Sequence, residues 1–470
     1  MSVSAAEQYL LELINRARLD PLAEAARYGL DLNAGLDDGS ISATPKQVLA
    51  HNTELESSAL DHSKWMLDED IFSHEGDAGS DPGDRIKAAG YELIGAWTWR
   101  ENLAWTGSTG TLDLAAAIED HHEGLYLSAG HRANTFATDT REIGVAQVSG
   151  RFTHDGSTFN ASMLTLNFAS SGADYFITGV VYTDSDNDDF YSIGEGVSGL
   201  TFSADGNSDV SAAAGGYGVA VAAASDVGVT ISLGSAILAT LDVDLTDGNA
   251  KLDLVTDNGG TQSLALSANA TLLTGIADAI LLGAGDLNLT GNDDDNVLTG
   301  NSGDNILYGG NGDDTLSGAE GADRLYGGAG DDLLKGGTGR DVSWDQLEFD
   351  SAAAAANADI LTGGTGDDRL QGQSGNDVLD GGAGDDRLTG GGGRDTFIFN
   401  AGNDVILDFT DRVDNIQLDG AALGIATVDE AMAMAQIVDG NAVFDFGVDD
   451  TLRINDVDDL SILFNDLTVF

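Results

Sequence analysis

From Gly291 onward the chain repeats itself every nine residues. The units read GNDDDNVLT, GNSGDNILY, GGNGDDTLS, GAEGADRLY, GGAGDDLLK and GGTGRDVSW. After an interruption the period resumes at Gly363 with GGTGDDRLQ, GQSGNDVLD, GGAGDDRLT and GGGGRDTFI. Register holds without slip inside each block, which a flexible glycine linker has no reason to maintain. The chain contains 63 glycines but only 3 prolines, so its glycine serves the repeat rather than a proline-rich spacer.

These units resemble the repeats-in-toxin nonapeptide, G-G-x-G-x-D-x-U-x, a family that winds into a parallel β-roll and binds calcium. The residues are consistent with that fold. Six glycine-rich residues form a turn whose carbonyls face inward, a backbone that glycine adopts at little steric cost. The sixth residue supplies a carboxylate: Asp314, Asp323, Asp332, Asp341, Asp368, Asp377, Asp386 and Asp395. The next three form a short strand whose middle residue, such as Leu316, Leu325 or Leu370, points into the roll. One coil is too small to bury a core alone, so stacking and metal must supply stability. Asn296 and Asn305 replace aspartate in the first two units, and weaker sites are expected there.

Charge bears on function. Asp and Glu number 79 against 20 Lys and Arg, a net charge of −59. That excludes binding to nucleic acid by phosphate neutralisation and disfavours anionic membrane surfaces. No apolar run is long enough to span a bilayer. Cysteine is absent, which removes disulfides, zinc thiolates and a cysteine nucleophile. Residues 171–470 carry a net −44 of the total. Without calcium this half repels itself and is expected to stay largely disordered. Calcium at the ~0.1–1 mM affinity of extracellular modules would fold it only outside the cell. The family resemblance implies export by type I secretion machinery through an uncleaved C-terminal signal, and the tail DDLSILFNDLTVF suits it. MSVSAAEQYLLELINRARLDP has neither a basic n-region nor an apolar h-region, so no N-terminal signal peptide is expected. It reads as a helix opened by the capping box Ser4–Glu7 and closed before Pro21.

Residues 174–235 alternate in the manner of a β-sandwich. Within them DSDNDDFYSIGE has the spacing of an EF-hand-type loop. Asp184, Asp186 and Asp188 stand at positions 1, 3 and 5, the Phe190 carbonyl at 7 and Glu195 at 12. Position 6 is Asp189 instead of glycine. Strands flank the loop, as in the B-type repeats of serine–aspartate adhesins, which it resembles.

All seven histidines lie in the first third, so acid–base chemistry at neutral pH belongs there. INRARLDP, HSKWM, FSHEG, GDRIKAAGY, RENLA, SAGHRANTF and REIGV follow in order over about residues 5–170. Together they resemble the CAP superfamily (cysteine-rich secretory, antigen 5 and pathogenesis-related proteins) in a cysteine-free bacterial form. The resemblance implies an α–β–α sandwich with a cleft. It places His74, Glu101 and His131 in that cleft, with Ser128 where many members carry Glu, and His122 as a further candidate. Two imidazoles and a carboxylate can form an acid–base pair, hold zinc with an open position as the lesser alternative, or simply hydrogen-bond to one another and order the cleft. His51, His62 and His154 are read as structural. H-E-x-x-H, G-x-S-x-G and Walker motifs are all missing.

The expected architecture is therefore multidomain α+β. A CAP-like head spans 1–170, a β-sandwich with the calcium loop 171–237 and a β-rich connector 238–290. Calcium β-roll blocks span 291–344 and 363–399 around a linker at 345–362, and capping strands with the secretion signal fill 400–470. The expected function is that of a secreted, extracellular calcium-binding protein. Its head captures a small hydrophobic or lipid-like ligand or a protein partner, and no catalytic residue is assigned. The alternatives are a secreted hydrolase working through the cleft, with or without zinc, and a calcium-dependent surface or matrix adhesin.

Overall fold

The computed structural model describes residues 3–222, 226–330, 332–344, 358–447 and 450–470, in two compact units, Met1–Ala268 and Asn269–Phe470.

The first unit begins with helix α1, Ala5–Leu19, opened by the Ser4–Glu7 capping box. Then come α2 (Pro21–Arg27), β1 (Ala50–His51), α3 (Thr53–Asp68), α4 (Pro82–Ala88), β2 (Thr98–Ser108), α5 (Leu114–Leu127), α6 (Ala129–Thr135), β3 (Glu142–His154) and β4 (Ser157–Ser170). The strands form one sheet in the order β1-β3-β4-β2. Helices cover both its faces, because alternate residues of β4 point to opposite sides. Leu164, Leu166 and Phe168 pack with Leu10, Ile14 and Ile118 of α1 and α5, while Ala161 and Met163 join Met66 of α3 and Ala169 joins Leu55. Helix α3 lies so close to β3 that a Cβ at Gly144 would collide with the backbone of Leu55.

The same unit continues through β5 (Tyr175–Thr183), β6 (Leu200–Ala204), β7 (Asn207–Val210), β8 (Gly216–Val221), β9 (Asp226–Leu233), β10 (Ala236–Asp244), β11 (Ala250–Thr256) and β12 (Gln262–Leu266). β5 lies between β8, antiparallel, and β11, parallel, and β11 pairs on with β12. β6 pairs with β7 and β9, and β9 with β10. The boundary expected at 237 therefore falls inside β10. The Gly234-Ser235 turn just before it closes a hairpin between β9 and β10 and so does not divide two domains. A buried ion triad fixes α1 to β11: Lys251 Nζ meets Glu12 at 2.8 Å and also meets Asp253. Breaking such a group leaves an uncompensated buried charge.

In the second unit the repeats wind with two nonapeptides per coil. One column of parallel strands aligns Leu298, Leu316, Leu334, Leu361, Leu379, Phe397, Ile416 and Leu467 in register. The other aligns Leu289, Leu307, Leu325, Ser343, Leu370, Leu388, Ile406 and Ile454. Most of the expected linker, 345–357, lies outside the described residues. Its end does not behave as linker, because Ile360–Thr365 pairs with Leu333–Thr338. Asp359-Ile360-Leu361-Thr362 has the closing half of a nonapeptide without the glycine half, so a search for glycine missed it.

The second position of each aspartate-bearing unit has a left-handed backbone. Glycine occupies six of these positions, but Ala319 (φ 78°) and Gln373 (φ 64°) are forced into the same conformation. A left-handed L-residue costs about 1–2 kcal/mol. Added glycine freedom in the unfolded chain costs about 0.4–1 kcal/mol. Strain relief wins, so Ala319→Gly and Gln373→Gly should each stabilise the calcium-loaded protein by about 0.5–1 kcal/mol in urea unfolding. Destabilisation by either change would show that the roll does not impose this backbone.

Candidate functional site

The sixth-position aspartates form two continuous rows. In each, the backbone N–H of one residue donates to Oδ1 of the aspartate one coil further on. One row runs Asn296, Asp314, Asp332, Asp359, Asp377, Asp395, Asp414. The other runs Asn305, Asp323, Asp341, Asp368, Asp386, Asp404, with distances of 2.7–3.0 Å except 2.6 Å from Asp341 to Asp368. Asp359, Asp404 and Asp414 were not singled out by sequence reasoning, because none follows the glycine-rich half. Their D-x-apolar endings were the available signal.

Each Oδ1 is satisfied, but in nine of these aspartates Oδ2 is not. In Asp314, Asp323, Asp332, Asp341, Asp368, Asp377, Asp386, Asp395 and Asp404 that oxygen is buried and has no hydrogen-bond donor. All nine residues are at most 2% exposed. An unpaired buried carboxylate oxygen is costly, and a repeated one requires an explanation. The oxygens face glycine turns: a Cβ at Gly309 would collide with Asp314 Oδ2 and the Gly327 carbonyl. Carboxylate and carbonyl oxygens among glycines are the donor set of a hard cation. Desolvation raises these carboxyls against the pull of their backbone hydrogen bonds. It brings Asp386 to about 6, Asp314, Asp323, Asp332 and Asp368 to about 7, and Asp377 and Asp404 to about 8.

In the loop after β5, oxygens of Asp184, Asp186 and Asp188 lie within 4.8 Å of one another. Glu195 stands outside that trio. Its Oε1 accepts from Ser185 N–H and Oγ at 2.7 Å, and its Oε2 from Ser192 N–H at 2.9 Å. Asp189, in the place where such loops use glycine, takes the left-handed conformation that glycine would supply. The Phe190 ring packs edge-on against Tyr9 of α1, with the Arg16 guanidinium 5.0 Å above it.

In the head, His74 Nδ1 lies 2.8 Å from Glu101 Oε1, and Arg85 Nη2 donates to Glu101 Oε2 at 2.6 Å. Arg85 Nη1 also holds the His74 carbonyl, at 2.9 Å. Glu101 is buried in β2 while the His74 side chain is 58% exposed. The carboxylate thus orients the imidazole and leaves Nε2 toward solvent. His131 stands near enough for the His74 charge to add to the burial that lowers its pKa. Its carbonyl accepts from Asn102 Nδ2 at 3.0 Å. His62, buried and stacked on Trp65, feels the charges of Glu101, Arg85 and His74. Arg85 was missed as a site residue although it lies in the GDRIKAAGY fragment.

His122 lies elsewhere. It is buried with Nε2 2.9 Å from Glu24 Oε1, beside Tyr28 and Tyr126. Ser128 caps α6 through its backbone. No bond joins either residue to His74 or Glu101 among the described residues. Both Glu101 oxygens are engaged, one by a cation, and among the described residues no metal-sized cluster includes His74, Glu101 or His131.

Comparison with known proteins defines the class. The model of the cysteine-rich secretory protein family, CAP, matches residues 11–160. That of the RTX calcium-binding nonapeptide repeat matches four times, at 290–325, 308–342, 354–388 and 371–406. Residues 11–160 thus carry a CAP domain, and residues 290–406 carry RTX calcium-binding repeats. Among curated proteins none matches it. Similar solved structures include an extracellular protein containing a SCP domain from Bacillus anthracis str. Ames, at 22% identity and TM-score 0.22. That match covers 35% of this chain and 39% of the other, so the chain spans about two-fifths of its length. An outer surface protein from Borrelia burgdorferi matches at 16% identity and TM-score 0.24, over 37% of this chain and 97% of its own. Extracellular lipase LipA from Serratia marcescens matches at 18% identity and TM-score 0.18, over 43% and 42%.

The raised carboxyls give calcium binding a definite pH dependence. A carboxyl whose folded pKa exceeds its unfolded value favours the metal-free roll below the unfolded value, about 4. That contribution is lost as pH rises through about 6–8, where the cation must replace the proton. The calcium midpoint should therefore weaken at least about tenfold from about pH 8 to about pH 6. A midpoint independent of pH over that range would contradict the burial of these carboxylates.

Proposed function

We propose that the protein is secreted and that calcium outside the producing cell folds its roll, behind a head that binds rather than transforms its partner. The nine buried, donorless Oδ2 atoms support the calcium step most directly. A neutral-pH chain bearing these carboxylates gains order when a divalent ion takes the missing place. Export by a type I system follows from the RTX array as a reading of the class. On the same reading the strands that begin with β5 form a β-sandwich spacer whose loop, Asp184 to Glu195, takes a further calcium.

For the head, the favoured role is capture of a small hydrophobic or lipid-like molecule or of a protein partner. Neither CAP nor RTX families are enzyme families. One observation supports a hydrolase as second reading: Glu101 orients His74 with Nε2 toward solvent, the posture of a general base.

Two measurements test these readings. In the full chain, millimolar calcium should produce a large gain of β-type circular dichroism that chelator reverses. Equal signal in excess chelator would refute the calcium-folding reading. In calcium, Glu101→Ala should abolish any hydrolysis of casein, peptidoglycan or lipid that the wild type shows, if the cleft is catalytic. Hydrolysis unchanged by that substitution would remove the second reading.

A further inference from the structure

The RTX match begins at residue 290, and so includes the first two nonapeptides. Their turns do not fit calcium. Asn292 N–H donates to Asn296 Oδ1 at 2.8 Å, and Asn296 Nδ2 returns to Asn292 Oδ1 at 3.1 Å. The next turn repeats this pairing. Asn301 N–H donates to Asn305 Oδ1 at 2.7 Å, and Asn305 Nδ2 returns to Asn301 Oδ1 at 3.1 Å. The same amides reach back to the coil before the repeats, that of Asn296 to the Ala277 carbonyl at 3.0 Å and that of Asn305 to the Gly285 carbonyl at 3.4 Å.

The oxygen that stays bare in the nine aspartates above is thus closed here by a backbone N–H four residues earlier. The backbone explains the difference. Position two has positive φ in all eight aspartate units, whereas Asn292 and Asn301 do not. Asn292 Nδ2 is the one buried polar side-chain atom left without a partner in these two turns among the described residues, and it is a donor, useless to a cation. The opposite end is sealed alike. Asp414, the last member of its row, accepts Thr410 N–H on Oδ2 at 2.8 Å, again from four residues earlier.

We infer that the two opening turns, residues 291–308, are closed by asparagine pairs instead of calcium and form a metal-independent seat. Calcium-dependent coils stack on it from Gly309, and Asp414 ends the array. The coils then order from a fixed end, because the first calcium-bearing turn already finds a partner row. The inference rests on the reading that calcium folds the remaining coils.

Hydrogen exchange of the full chain in excess chelator tests it. Peptides covering 297–308 should exchange about tenfold more slowly than peptides covering 378–389. Asn296→Asp with Asn305→Asp removes the Nδ2 donors and should erase that difference, while Asp377→Asn should leave it intact. If 297–308 exchanges as fast as 378–389 in the wild type, the seat does not exist, although calcium folding of the roll stands. If 378–389 is fully protected in chelator, calcium folding itself fails.

Discussion

A carboxylate with one oxygen bonded and the other bare, repeated coil after coil, is the constraint on which the roll depends. The bonded oxygen stitches each coil to its neighbour through a backbone N–H. The bare one sits in a glycine turn with no protein donor. Hydrophobic columns alone would favour stacking, since Leu316, Leu334 and Leu361 are fully buried. Every added coil nonetheless brings another desolvated charge. Leucine stacking and charge burial therefore oppose each other until a cation is present. That opposition turns an external ion into a folding signal.

The first unit uses charge differently. Its buried ionic groups are closed within the protein: Lys251 with Glu12 and Asp253, Glu24 with Arg16 and His122, Glu101 with Arg85 and His74. No cation is needed to complete them, so this unit can hold its shape where the roll cannot. Among the described residues of this unit, only the loop at Asp184 shares the roll's open acidic character. Its Phe190 packs on α1, so order in that loop and order in the head are mechanically joined.

Much of this was legible in the sequence where a period or an ordered set of motifs existed. The nonapeptide marked eight of the nine bare aspartates, and the motifs FSHEG and RENLA marked His74 and Glu101. Asp359, Asp404 and Asp414 escaped because a glycine lead, not a terminal aspartate, defined the search. His122 entered through the family resemblance, which does not display the Glu24 it meets across 98 residues. Asn296 was visible as a departure from aspartate. Its reciprocal bond with Asn292 depends on a backbone φ that letters do not display.

Small-angle X-ray scattering of the full chain at neutral pH, in excess chelator and then in millimolar calcium, tests the central claim most directly. Because more than 200 residues lie in the second unit, the account predicts a sharp fall in radius of gyration when calcium is added, restored by chelation. An unchanged, compact radius in chelator would show that the desolvated aspartates are tolerated without metal and would contradict it.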